Sequence, residues 1–133
     1  MPRPSSEHPT PAELEVLQVL WQRGPSTVRQ VMDELNRSRR RAYTSVMSLL
    51  NVMADKRLVR RKPLGRAFLY APAVKEQPTL RRMVADLVQR AFGGSTGQLV
   101  AHALEQTRPS PQELEEIRRL IDEYRSRKQE SIS

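Results

Sequence analysis

The chain has 133 residues, 38% of them hydrophobic, and no cysteine. That is enough for one ordinary domain, or a small domain with an oligomerisation element, and it excludes a disulfide framework, a thiolate metal site and a cysteine nucleophile. Twenty-three basic against 15 acidic side chains give a formal charge of +8, which favours a polyanionic partner, either nucleic acid or an anionic membrane surface.

Residues 1–9 are polar and proline-rich and read as a disordered tail. They lack the apolar stretch of a secretory signal, and no apolar run approaches the ~18 residues of a membrane span. The expectation is a cytoplasmic protein with no membrane insertion. Thr10-Pro11-Ala12-Glu13 opens the first helix: Thr10 caps, Pro11 fits the first helical position and Glu13 closes a capping box. Leu14, Leu17, Leu20 and Trp21 recur at helical spacing until Gly24-Pro25 ends the run. Thr27 with Gln30 makes a second box, and Val28, Val31, Met32 and Leu35 form the stripe of a short second helix. Asn36 to Arg41 is a basic connection.

A third helix is predicted from about Ala42 to Lys56, with Val46, Leu49, Leu50 and Met53 facing inward. Thr44, Ser45, Met47 and Ser48 fall largely on its other side. Leu58 to Lys62 and Arg66 to Tyr70 read as two short strands around Pro63-Leu64-Gly65, a hairpin that Pro63 confines to an edge and Pro72 stops. Ala73 to Pro78 reads as a linker. Leu80, Met83, Val84, Leu87, Val88, Ala91 and Phe92 then make an amphipathic helix ended by Gly93-Gly94. Leu99, Val100, Ala103 and Leu104 make another, with Ser95 or Thr96 as cap. Ser110-Pro111-Gln112-Glu113 repeats the opening pattern of the first helix and leads into the stripe Leu114, Ile117, Leu120, Ile121 and Tyr124. The last residues, 129–133, read as a frayed tail.

The charge is concentrated. Residues 37–66 carry ten basic side chains against Asp55 alone, while the rest of the chain nearly cancels. A phosphate-facing surface needs such a window, because neutralising phosphates releases condensed counterions. Three helices followed by a hairpin is the order of a winged helix-turn-helix, here over residues 10–72, in a mainly α fold with a small β-hairpin wing. The third helix enters the major groove through its N-terminal end. There Thr44, Ser45 and Ser48 offer hydroxyls to base edges or phosphates, and Met47 an apolar contact to a thymine methyl. Arg60, Arg61, Lys62 and Arg66 of the wing are the candidate phosphate ligands, and Arg41 and Tyr43 join the set at the start of the helix.

Residues 73–128 hold amphipathic helices too few to build an independent core. Pairing with a second copy buries their stripes, and a two-fold dimer matches a dyad operator in double-stranded DNA. The candidate dimer residues are Leu80, Met83, Val84, Leu87, Val88, Phe92, Leu99, Val100, Leu104, Leu114, Ile117, Leu120, Ile121 and Tyr124. The alternative is that these helices fold back on the N-terminal domain.

Enzyme readings find no constellation. His8 and His102 form no metal pair, His102 sits three residues before Glu105 as a surface or interface histidine, and no phosphate-loop, dinucleotide or nucleophile-elbow motif occurs. No cofactor or metal is expected. Two other function classes remain: an architectural DNA binder without sequence preference, and an interaction module whose wing binds an acidic protein. A basic membrane-surface helix fits less well, because a hairpin interrupts the basic window.

Read together, several segments resemble the penicillinase-repressor family of bacterial transcription regulators, the BlaI/MecI type, over about residues 10–125. They are Glu13-Leu14-Glu15-Val16-Leu17 with Leu20-Trp21, Thr27-Val28-Arg29-Gln30-Val31, Ala42-Tyr43-Thr44-Ser45-Val46, Lys56 to Val59, and Gly65-Arg66-Ala67-Phe68-Leu69-Tyr70. Phe92-Gly93-Gly94, Leu99-Val100 and Glu113-Leu114-Glu115-Glu116-Ile117 continue the likeness. The resemblance implies a homodimeric repressor whose winged helix binds a dyad operator. It also implies release by a membrane sensor-transducer metalloprotease that answers a β-lactam by cutting the dimerisation region. Thr44, Ser45, Met47 and Ser48 match the groove-facing positions and Arg66 the wing-tip base. At the cleavage position His102-Ala103 stands in place of the Asn-Phe pair of staphylococcal members. The paired cysteines of copper-responsive relatives are absent, and Asn51-Val52 stands where many relatives carry basic residues.

Overall fold

The computed structural model describes residues 8–132. In chain order the elements are α1 (Pro11–Arg23), α2 (Val28–Leu35), α3 (Tyr43–Asp55), β1 (Val59–Leu64), β2 (Ala67–Pro72), α4 (Glu76–Phe92), α5 (Thr96–Thr107) and α6 (Pro111–Ile132). They form two compact units, one ending at Ala85 and the other beginning at Asp86, so that the division falls inside α4.

In the first unit both predicted capping boxes are formed. Thr10 and Glu13 exchange side-chain and backbone hydrogen bonds at the start of α1, and Thr27 and Gln30 do the same for α2. Each box satisfies two of the backbone groups that a helix start leaves open. The stripes meet in one core of Val16, Leu17, Leu20, Val28, Val31, Leu35, Val46, Leu50, Met53, Val59 and Tyr70, all nearly inaccessible. Burying a side chain of this size contributes roughly 1.5–3 kcal/mol. Val16 takes a fully buried place in α1, whereas Leu14 is only half-buried. α3 ends in a Schellman arrangement. Leu58 N–H donates to Met53 O at 2.8 Å and Arg57 N–H to Ala54 O at 3.1 Å, with Arg57 itself at φ 65°.

The hairpin differs from its sequence reading. Pro63 and Leu64 belong to β1, paired with Phe68 and Ala67, and the turn is the dipeptide Gly65-Arg66. A two-residue hairpin with Gly65 at φ 61° and Arg66 outside the left-handed region has the II′ pattern, which matches the twist of the strands. Proline is tolerated in β1 because a two-stranded sheet has only edge strands. β2 also runs on through Ala71 and Pro72, which pair with Arg60 and Val59. Ser26 forms a bridge with Tyr70, with backbone bonds of 2.9 and 2.8 Å, and so fastens the α1–α2 connection to the hairpin.

The expected linker is shorter than predicted. Residues 76–78 are the first turn of α4, where Pro78 lacks an N–H that would have had no intrahelical partner anyway. The segment before it is held: Trp21 Nε1 donates to Val74 O at 3.0 Å, and Val74 packs on the core. Of the predicted N-terminal tail, residues 1–7 lie outside the described residues, and Pro9 is buried. The tail expected at 129–133 is helical as far as Ile132.

In the second unit Ser95 is the cap of α5, its hydroxyl accepting from Gln98 N–H at 3.1 Å. Ser110 does the same for Glu113 N–H at the start of α6, also at 3.1 Å. The Phe92 and His102 rings lie 5.1 Å apart. From Asp86 to Glu130 no residue is buried.

Candidate nucleic-acid interface

The candidate recognition face is built on α3. Its N-cap is Ala42, which has no side chain to bond the first-turn amides, and no acidic residue stands in that turn. The N–H groups and the positive end of the helix dipole therefore face outward unneutralised, an arrangement that suits phosphate or carbonyl acceptors. Thr44 and Ser45 are helical residues rather than caps. They and Ser48 are exposed and make no side-chain hydrogen bond among the described residues. Their hydroxyls are free for an outside partner. Tyr43 and Met47 are 44% and 37% exposed, far above what their apolar surface would show in a core.

Tyr43, Met47 and Asn51 follow one another at i, i+4 and i+8 and line an open groove of ≈ 390 Å³. The hairpin gives it one wall, with Arg61, Arg66 and Phe68, and the start of α2 the other, with Thr27 and Arg29. A second concavity of ≈ 580 Å³ lies at the start of α3, between Arg29, Arg40, Arg41 and Tyr43. Helix, wing and the start of α2 thus share one concave, cationic surface. The Arg29 guanidinium stands 5.9 Å from the Tyr43 ring centre, which marks Arg29 as a member of this surface that the sequence reading missed. Its signal was weak, because Arg29 lies outside the basic window.

The cations of that window do different things. Arg41 is turned inward, its side chain 11% exposed. Its Nη1 donates to Leu35 O at 2.7 Å and Arg39 O at 2.8 Å, and its Nη2 to both Glu15 oxygens at 3.1 and 3.0 Å. Lys56 Nζ donates to both oxygens of buried Glu13 at 3.0 and 2.9 Å. Two of the ten basic residues are therefore neutralised by acids of α1 and Arg37 pairs with Glu34 of α2 at 3.3 Å, leaving seven that form no ion pair among the described residues.

The β pleat divides the wing set. Arg61, paired with Tyr70, lies on the face toward α3, where its Nη1 donates to Asn51 Oδ1 at 2.7 Å and its guanidinium stacks 5.0 Å from the Phe68 ring centre. Arg60 and Lys62 alternate to the other face. With Arg66 at the tip they are exposed and make no ion pair or hydrogen bond among the described residues. Asn51 also accepts from Tyr70 Oη at 3.2 Å. A basic residue in its place could not accept from either, so this position ties the helix to the wing. No group of three or more His, Cys, Asp or Glu among the described residues could hold a metal ion. No helix among them is long and apolar enough to cross a membrane.

The candidate dimer residues all lie on α4, α5 and α6, and none is buried. Val84, Leu87, Val100, Leu114, Leu120, Ile121 and Tyr124 are between 39% and 60% exposed. His102 and Ala103 sit in the middle of α5 with exposed side chains.

The chain is similar to known proteins over most of its length. The penicillinase repressor family model matches residues 9–123. A penicillinase repressor of Bacillus licheniformis is 25% identical over 119 residues, covering 90% of this chain and 93% of that one. The transcriptional regulator BlaI of Mycobacterium tuberculosis is 35% identical over 113 residues, covering 84% and 80%. The methicillin resistance regulatory protein MecI of Staphylococcus aureus is 21% identical over 111 residues, covering 84% and 90%. A solved transcriptional regulator from Thermotoga maritima aligns at 16% identity with a TM-score of 0.47, over 88% of this chain and 79% of that one. With three helices, a two-stranded wing and a family match over nearly its whole length, the chain belongs to the penicillinase repressors, transcriptional regulators of the BlaI/MecI type and not enzymes.

Proposed function

We propose that this repressor acts in the cytoplasm by binding a dyad operator in double-stranded DNA as a homodimer. The observation that carries the reading is the shared concave surface. The uncapped, hydroxyl-bearing start of α3 stands beside a wing whose tip arginine is free, and seven of the ten window cations form no ion pair among the described residues. In this reading α3 lies in the major groove with Thr44, Ser45, Met47 and Ser48 toward base edges, while Arg66, Arg60 and Lys62 neutralise phosphates. Arg61 acts at the groove from its tie to Asn51, and Arg41 contributes through the fold rather than by contact.

The exposed stripes of α4, α5 and α6 support the dimer, since a monomer would leave this apolar surface in water. Release follows from the same design. A membrane sensor-transducer metalloprotease, acting under an antibiotic or cell-wall signal, cuts in the dimerisation region; the position matching the relatives' Asn-Phe pair is His102-Ala103, a different dipeptide. That bond lies inside α5, so it must unwind locally before it can be cut.

A salt-titrated binding assay comparing DNA upstream of the gene with scrambled duplex, alongside sedimentation of the free protein, tests the proposal. Dimer-stoichiometric binding with a preference of ~10³-fold or more is the expected result. Salt-sensitive binding with no preference on any upstream sequence would leave an architectural binder instead.

A further inference from the structure

The two ion pairs that remove Arg41 and Lys56 from the exposed surface share a geometry. Arg41 immediately precedes the N-cap of α3, and Lys56 is its C-cap. Their partners, Glu15 and Glu13, are two residues apart on α1. One short Glu-Leu-Glu run thus grips the recognition helix at both ends. Each grip is anchored further. Glu13 is 2% exposed, and its Oε1 also accepts Thr10 N–H at 2.9 Å in the capping box. Arg41 is fastened through its backbone as well, its N–H donating to Asn36 Oδ1 at 2.8 Å while Asn36 Nδ2 donates to Arg41 O at 3.3 Å.

Apolar packing of Val46, Leu50 and Met53 alone would let α3 roll or slide by a fraction of a turn, because the hydrophobic effect is not directional. Charge-assisted hydrogen bonds at the two ends are directional. Neither pair is a strong source of net stability: Lys56–Glu13 is largely buried, where desolvation offsets most of the attraction and the best-attested use is to fix a register, and Arg41–Glu15 has its carboxylate 43% exposed. We infer that Glu13 and Glu15 are positioning residues for DNA reading: through Lys56 and Arg41 they set the axis of α3, and so decide which base edges Thr44, Ser45 and Ser48 reach. The inference rests on the DNA-binding function proposed above.

Charge arithmetic and positioning predict different ratios for Glu15→Gln, unchanged in the first case and lowered in the second. Removing an acid beside a DNA-binding surface strengthens binding to every duplex. Releasing one end of α3 lowers the ratio of operator to random affinity. The experiment measures that ratio and the salt slope for Glu15→Gln and Lys56→Met, with thermal melting to confirm folding and hydrogen exchange of the free proteins. The expected result is a ratio reduced ~10-fold in each, the scale of one misplaced base contact, with an unchanged salt slope and faster exchange at the freed end of α3. Glu13→Gln is a second variant should Lys56→Met fold poorly. A folded variant with wild-type discrimination and wild-type exchange overturns the inference. A salt slope lowered by about one in Lys56→Met would do the same, because it makes that lysine a phosphate ligand. A wild-type protein that does not discriminate fails differently: it removes the proposed function first, and the positioning role with it.

Discussion

Arginines that stand close together in this sequence do unlike work, and their hydrogen bonds tell them apart. Arg41 closes the α2–α3 connection, Arg61 joins wing to helix, and Arg66 is free at the hairpin tip. Under the proposed function the free cation would act on DNA as a charge alone. Arg66→Ala therefore weakens binding about equally on operator and random duplex and lowers the salt slope by about one; a slope equal to wild type would remove the wing tip from the phosphate contacts. Ser45 is the opposite case, an uncharged hydroxyl on an exposed helical turn with no internal partner. Ser45→Ala reduces operator discrimination by about 1–3 kcal/mol and leaves the salt slope alone. Equal losses on operator and random DNA would show that this hydroxyl touches only the backbone.

At the scale of elements, what could be read from sequence was what is encoded locally. Thr10 with Glu13, Thr27 with Gln30, Ser95 and Ser110 all cap the helices they were expected to cap, since a cap needs only residues three apart. The hairpin boundaries were less legible. Pro63 reads as a breaker, yet an edge strand tolerates it, and only the register shows that Gly65-Arg66 carries the turn. The fate of Arg41 and Lys56 could not be read at all, because their partners lie 26 and 43 residues away. The division of Arg60 and Lys62 from Arg61 follows from the pleat, but what Arg61 meets on its face depends on where α3 packs. The short α2 tests the worth of a local signal. It has eight residues, with no acid in its first turn and no base in its last. The Thr27 box is its main end-stabilising device. Thr27→Ala lowers the unfolding free energy by about 1 kcal/mol, read as a fall in urea midpoint at constant m-value. A midpoint unchanged within error would mean that packing of Val28 and Val31 alone holds this helix.

For the whole molecule the contrast between the two units decides the argument. The first buries eleven hydrophobic residues against one another and has a core of its own. The second, from Asp86 onward, leaves its apolar stripes accessible, with Leu120 60% exposed, Tyr124 55% and Ile121 52%. Such a segment gains little from folding alone, since conformational entropy must be offset by surface removed from water. In the proposed homodimer a symmetric second copy would supply that surface, which would account for the apolar positions of α6 in a helix otherwise crowded with charge. Leu120→Asp tests this directly. On a solvated helix face the substitution is nearly neutral, and sedimentation would report the same species as wild type. In a dimer interface it places an unpaired carboxylate among apolar side chains, which costs several kcal/mol and shifts the population to monomer. The first unit keeps its core in either case, so Leu120→Asp should retain weak half-site DNA binding while losing the tight two-fold complex. A dimeric Leu120→Asp protein with undiminished operator affinity would place the interface elsewhere.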